Sequence, residues 1–374
     1  MTGAPARPLE QRILAQAYAL GFDLAGIARL GPPDTLAFYD AWLDAGHHGT
    51  MTYMARTRDL RADSTRPEAG MQTAVVVGMN YGGTQPAGPI ARYARGADYH
   101  RVLWDRLDAL GDAVRAESGT AARTRGYVDS GPILERDLAR RAGLGWFGKN
   151  TMLISPGLGS FFFLGVLVTE LALAPSDPFD ADRCGTCTRC LEACPTEAFT
   201  GPRVLDARRC IAYLTIEHRG EFTAEEAAMV GGHVFGCDVC QEVCPFTRKF
   251  AQELREEALR PRPELAAPAL EEWLSLDDAG WRALTAGSAL TRPKRAGLLR
   301  NALAVLANAG DTSVVKAVVR ALADREPVVR AEAARCLGRL GGSEAVAALE
   351  ARAAEESDST VASAIAAARR SAGV

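Results

Sequence analysis

Cysteine spacing is the feature of this 374-residue chain most able to do chemistry. Eight of its nine cysteines lie between Cys184 and Cys244. Cys184, Cys187, Cys190 and Cys194 follow C-x2-C-x2-C-x3-C and are closed by Pro195. Cys237, Cys240 and Cys244 follow C-x2-C-x3-C and are closed by Pro245, with Cys210 alone between the runs. The four-cysteine run has the bacterial ferredoxin spacing, in which three thiolates hold one [4Fe–4S] cluster and the fourth crosses to the other. On that pattern Cys184, Cys187, Cys190 and Cys244 hold one cluster. Cys194, Cys210, Cys237 and Cys240 hold the second. The expected chemistry is one-electron transfer.

Other uses of these cysteines fit less well. Disulfides need an oxidising compartment, and the first residues, MTGAPARPLEQRILAQ, contain no apolar export core. The most apolar run, Phe161 to Val168, is far too short to cross a bilayer. A cytoplasmic location without membrane attachment is therefore expected. Zinc sites use C-x2-C pairs but close at four ligands, leaving no role for a C-x2-C-x2-C triple followed by C-P. Cys336, in A-A-R-C-L-G-R-L, reads as a buried structural thiol. His47, His48, His100, His218 and His233 form no metal-binding set.

The elements that must position this chemistry fall into blocks. Residues 1–175 lack cysteine and mix helical and strand patterns. Leu9 to Leu20 is an amphipathic helix stopped by Gly21. Tyr99 to Glu117 carries helical spacing, and Ile133 to Ala142 is a third helix. Thr73 to Met79 and Phe161 to Thr169 read as buried strands. This mixture predicts an α+β chain whose first domain is α/β-like. A Pro-rich stretch then introduces a ferredoxin-like module over 176–255, followed by a connecting segment over 256–289. From residue 290 onward, Asn301–Asp311 recurs loosely as Glu332–Gly342, with Leu306 matching Leu337 and Gly310 matching Gly341. Paired helices at an offset of about 31 residues resemble HEAT-like repeats. Two repeats are too few to stand alone, so the block should lean on other parts of the chain. The net charge of -3 gives no global positive field for wrapping nucleic acid.

Two features lie outside the cysteine module. Gly143, Gly145 and Gly148 fit G-x-G-x-x-G, but a helix precedes and a strand follows. That is the reverse of a dinucleotide site, and close backbone approach to a flat cofactor suits these glycines better. Asp129 follows an apolar segment and precedes Ser-Gly-Pro. It could donate a proton or cap the helix beginning near Ile133; the residues alone leave both open. Glu135 and Asp137 read as first-turn helix acids.

Taken together, V-D-S-G-P-I-L-E-R-D-L-A-R-R-A-G-L-G-W-F-G-K-N, both cysteine runs, R-C-I-A-Y-L-T-I-E and the helical tail resemble the epoxyqueuosine reductase family over essentially the whole chain. The resemblance implies cobalamin above a cluster, as in the related reductive dehalogenases, and reduction of an epoxide to an alkene at the tRNA wobble nucleoside. It places the proton donor at Asp129. It also implies cobalamin contacts from Arg61, Asp129, Leu153, Leu164, Ala212 (where relatives often carry serine), Cys237 and Asp238. No histidine lies in a D-x-H-x-x-G context, so base-off cobalamin is expected.

The partners expected are tRNA carrying epoxyqueuosine and a flavodoxin- or ferredoxin-type reductant, acting on a monomer. Arg292, Lys294, Arg295 and Arg300 form a basic stretch that could grip RNA phosphates, with Arg208, Arg209 and Arg219 adding to it. The alternatives are a corrinoid reductase of a small molecule, such as a dehalogenase, and a non-catalytic electron carrier.

Overall fold

The computed structural model describes residues 7–371. They divide into two compact units that the chain enters more than once. The first unit holds residues up to Pro86, Ala97–Ala207 and Val239–Arg260; the second holds Ala87–Gly96, Arg208–Asp238 and Pro261 onward.

The first unit is built on strands β1 (Leu24–Arg29), β2 (Thr73–Asn80), β3 (Thr124–Tyr127), a short hairpin of β4 (Trp146–Phe147) and β5 (Leu153–Ile154), and β6 (Phe162–Thr169). The main sheet has the order β1-β2-β6-β3, and each neighbouring pair is antiparallel. This settles the first domain as α+β rather than parallel α/β. β2 is buried at every position, and β6 at all but Leu164. Their β-branched runs suit a strand covered on both faces. Helix Tyr99–Ser118 packs on one face, where Gly126 and Gly165 make room for Leu107. Leu138 and Ala139 of helix Glu135–Arg141, with Ala142 just after it, pack on the other, against Val76, Phe162 and Val166.

The glycines of the G-x-G-x-x-G run are explained by the chain's own backbone. A Cβ at Gly145 would stand 2.1 Å from the Ile154 carbonyl oxygen, and one at Gly143 would stand 2.6 Å from that of Asp177. The close approach that these two glycines allow is to the chain's own backbone. The segment after the last cysteines is pinned to the sheet. The Asn80 amide, at the end of β2, donates to the carbonyls of Gln252 and Glu253 at 3.2 and 2.8 Å. Ser160 and Thr247 share a hydroxyl hydrogen bond at 3.2 Å.

In the second unit, helices Lys294–Ala309, Val315–Ala321, Pro327–Leu340, Ser343–Glu355 and Ser359–Ser371 form the repeats. Gly310 and Gly341 end the two matching helices at φ 69° and 66°, as their alignment predicts. Gly338 lets helix Ser359–Ser371 close in, because a Cβ there would lie 2.7 Å from Ala368 Cα. Cys336 is fully buried, and burial pushes its thiol up to about 12. The block does lean on other chain: Asn301, within helix Lys294–Ala309, donates to the carbonyls of Thr215 and Val234 at 2.7 and 3.0 Å.

Candidate functional site

Four cysteines of the first unit line one cavity. Cys184 and Cys187 come from the loop before the short helix Arg189–Glu192, Cys190 from that helix itself, and Cys244 from the turn before helix Pro245–Phe250. None forms a disulfide. Burial raises the Cys190 thiol, and charge on Cys184, Cys244 and Cys187 raises it further. Four thiols lining one cavity are a suitable donor set for a metal cluster. Among the described residues no three His, Cys, Asp or Glu side chains close on a single ion. A shared cavity suits a multi-iron cluster better than one zinc ion. Trp146 completes the cage: its indole N–H points at Cys184 Sγ at 3.4 Å, and its ring packs on Phe179 and Phe246. Of the other four cysteines, Cys194 and Cys240 belong to the first unit and Cys210 and Cys237 to the second, and all four are half-buried.

Asp129 occupies the loop between β3 and helix Glu135–Arg141. Its φ is 56°, a left-handed conformation that is uncommon outside glycine and most tolerated by Asn and Asp. Its side chain is 69% exposed. It caps no helix, since the helix begins at Glu135 after Leu134. Instead its carboxylate is held from helix Tyr99–Ser118. Phe163 of β6 stacks on the Tyr99 ring with centroids 4.2 Å apart, and the Tyr99 hydroxyl donates to Asp129 Oδ2 at 2.8 Å. His100 Nε2 lies 3.9 Å from the same oxygen. Its Nδ1 meets Asp98 Oδ1 at 2.7 Å, and that hydrogen bond is the main reason the Asp98 carboxyl is held below its usual range.

Glu135 is the residue that sequence reasoning missed. Its Oε1 accepts the Asp129 backbone N–H at 2.7 Å, so it fixes the strained turn from below. Burial, and then repulsion from Asp129, push its carboxyl up to about 8. Arg61 donates to the Ile133 carbonyl at 2.8 Å and tethers the same loop. Because Glu135 titrates at about 8 when folded, against an ordinary value of 4.5, the folded chain binds its proton more tightly than the unfolded chain. Stability from this group is therefore full below pH 4.5 and falls as pH rises toward about 8. Glu135→Gln is expected to flatten that decline, as read by urea midpoints at pH 5 and pH 8.5. Parallel curves for variant and wild type would remove Glu135 from the account.

The remaining residues implied for cobalamin divide between the units. Leu153 is buried in the core around helix Glu135–Arg141, which leaves its main chain for any ligand, and Leu164 packs at the edge of that core. In the second unit, Ala212 is half-buried at the start of helix Ile211–Ile216. Asp238 is buried, and accepts the Arg92 N–H at 2.8 Å and an Arg92 guanidinium N–H at 3.2 Å.

The basic stretch is not what its sequence suggested. Arg300 is 1% exposed and donates to the carbonyls of Leu214, His218 and Gly220. It cannot meet a phosphate, so it leaves the expected RNA grip. Arg295 is bound through both terminal nitrogens to Asp324, at 3.1 and 2.6 Å. Arg292 is exposed but forms a two-point pair with Glu217. Lys294 is exposed.

A sheet-based unit carrying a four-thiol cage and an anchored, exposed carboxylate, in a chain ending in helical repeats, defines an iron–sulfur oxidoreductase. The family model for a 4Fe-4S double cluster binding domain matches residues 183–247, that for HEAT repeats matches 287–369, and that described as Epoxyqueuosine reductase QueG, DUF1730, matches 61–130. Two curated relatives share that enzyme's name. The Xanthomonas campestris protein is 40% identical over 88% of this chain and 96% of its own. The Pseudomonas aeruginosa protein is 39% identical over 85% and 90%. The chain belongs to the epoxyqueuosine reductase family. A crystal structure of an epoxyqueuosine reductase with a tRNA-Tyr epoxyqueuosine-modified stem loop superposes with TM-score 0.89 and 27% identity, covering 98% of this chain and 99% of that one. The Bacillus subtilis enzyme, solved with its catalytic aspartate loop swung out of the active site, gives TM-score 0.88 and 27% identity over 97% and 98%. Among the described residues no helix is long and apolar enough to cross a membrane.

Proposed function

We propose that the protein reduces epoxyqueuosine to queuosine at the wobble position of tRNA, with Asp129 as proton donor and electrons arriving through two [4Fe–4S] clusters and cobalamin. The observation that carries this reading is the anchored, solvent-facing Asp129 carboxylate in a chain with a four-thiol cage. Loss of the epoxide oxygen as water takes two electrons and two protons. Cobalamin, when bound, supplies a centre that can gather single electrons for a two-electron change at carbon.

The residues present suit such a group. Within the first unit, Leu153 and Leu164 offer apolar cover and Arg61 a cation; within the second, Ala212 is half-buried and Asp238 is already neutralised by Arg92. The chain's own part in the reaction is proton handling. Tyr99 and Glu135 orient Asp129, whose carboxyl protonates the departing oxygen. Glu135, still largely protonated at neutral pH, supplies a second proton to this loop.

The test is anaerobic reconstitution with iron, sulfide and cobalamin, then nucleoside mass analysis of tRNA carrying the epoxide. Conversion to the alkene nucleoside is expected; its absence from fully loaded protein would refute the reading. For RNA contact the reading now rests on Lys294 and Arg292. Replacing either with Ala is expected to weaken stem-loop binding and lower the slope of log K against log salt by about 1. Unchanged slopes in both would place the RNA on another face.

A further inference from the structure

The cage of Cys184, Cys187, Cys190 and Cys244 opens to solvent, and its mouth is ringed by positive charge. Lys149, Arg183 and Arg189 line the cavity together with the cysteines. Arg189 also lines the adjoining surface groove, with Arg248. Arg183, Arg189 and Arg248 are exposed. The acids nearby are mostly neutralised by other arginines: Asp182 by Arg203 at 2.6 Å, and Asp180 by Arg140 at 3.1 Å. Glu192 is the one acid lining the groove. Lys149 donates to the Gly185 carbonyl at 2.7 Å, which fixes part of this charge against the cysteine loop. The rim also connects inward. The Arg183 guanidinium lies 5.6 Å from the Phe179 ring, Phe179 stacks on Trp146, and Trp146 reaches Cys184 Sγ.

We propose that this face is the docking surface for an acidic one-electron carrier protein, which reduces the cluster held by Cys184, Cys187, Cys190 and Cys244. The proposal rests on the cluster assignment above. In each encounter the reduced carrier gives up one electron and the cluster, [4Fe–4S]2+, becomes [4Fe–4S]+; two encounters supply the pair that the epoxide needs. Electron-transfer complexes are small and transient, and complementary charge speeds their encounter more than it tightens them. Four cations around these cysteines, three of them partly exposed, meet that need. RNA phosphates would also be attracted here, but RNA gains nothing from charge centred on cluster sulfurs, whereas an electron carrier must approach them.

The test uses reconstituted full-length protein and the variant Arg183→Glu/Arg189→Glu/Arg248→Glu. Iron content is measured first. A wild type without iron in this cage would refute the cluster assignment, and the docking surface with it. Reduced flavodoxin, an acidic flavin protein, is then mixed anaerobically, and the second-order rate of cluster bleaching is recorded at low and high salt. The variant is expected to react at least tenfold more slowly at low salt, with the gap closing as salt rises. Photoreduction by a neutral deazaflavin should reach the same extent in both proteins. Should the triple variant load iron poorly, Arg248→Glu alone, four residues beyond Cys244, should still slow the carrier severalfold. Equal carrier rates in wild type and variants overturn the proposal. So does loss of stem-loop binding with an unchanged carrier rate, which would assign the face to RNA.

Discussion

Asp129→Asn is expected to lower turnover of epoxide-bearing tRNA by about 10²- to 10⁴-fold, the usual contribution of a positioned general acid. Asparagine is the informative replacement. Residue 129 sits at φ 56°, which Asn adopts at little more cost than Asp, so the loop keeps its shape. The backbone N–H still reaches Glu135, and the Asn carbonyl oxygen can still accept from the Tyr99 hydroxyl. What is lost is the transferable proton. Iron content, cluster absorbance and stem-loop affinity should match wild type. Tyr99→Phe removes only the orienting hydroxyl and is expected to cost less, roughly tenfold, because Glu135 still anchors the turn. A near-normal rate for Asp129→Asn would mean that the proton comes from elsewhere, with His100 the next group to examine.

Legibility of this chain in its sequence followed how local each cause was. β2 and β6 were visible because a strand covered on both faces must be apolar at nearly every position. β1 was not: in L-A-G-I-A-R, Gly26 is required by the Ala142 carbonyl, where a Cβ would stand at 2.0 Å, and that neighbour is far away in sequence. Helix Glu135–Arg141 was legible, but its start was read two residues early, since Ile133 is packed in the core ahead of it. The cysteine cage was legible because cluster ligation has its own spacing. Glu135 was invisible as a site residue. Its role depends on a left-handed turn six residues upstream, and a glutamate in a first helical turn is ordinarily explained by the helix dipole. The Arg300 reading failed for a different reason. Its charge belongs to a basic stretch, but its neighbours form the apolar run L-L-R-N-A-L-A-V-L. Residues 298–304 of that helix are all buried, and that run was the signal that this arginine points inward.

Arg300→Leu is therefore expected to destabilise the second unit by about 3–5 kcal/mol, as for other buried charges stripped of a partner. The guanidinium donates to the Leu214, His218 and Gly220 carbonyls and to Asn301. It also lies 3.8 Å over the Phe222 ring, a contact worth about 2 kcal/mol when desolvated. Leucine fills part of the volume but satisfies none of those carbonyls, and each buried acceptor left without a donor costs about 1–3 kcal/mol. Burial lowers the Arg300 pKa to about 10, with Glu332 opposing the shift, so the side chain is still charged at neutral pH. Its removal leaves buried Glu332 with Arg335 alone for compensation. Arg300→Lys should recover little, because one ammonium cannot span three carbonyls and a ring. The measurement is the urea midpoint, paired with stem-loop binding at low temperature on the protein that remains folded. A large loss of stability with an unchanged salt slope identifies Arg300 as the clamp between the repeats and segment 208–238. A normal midpoint with weakened, salt-flattened binding would return it to the RNA interface, where its sequence first placed it.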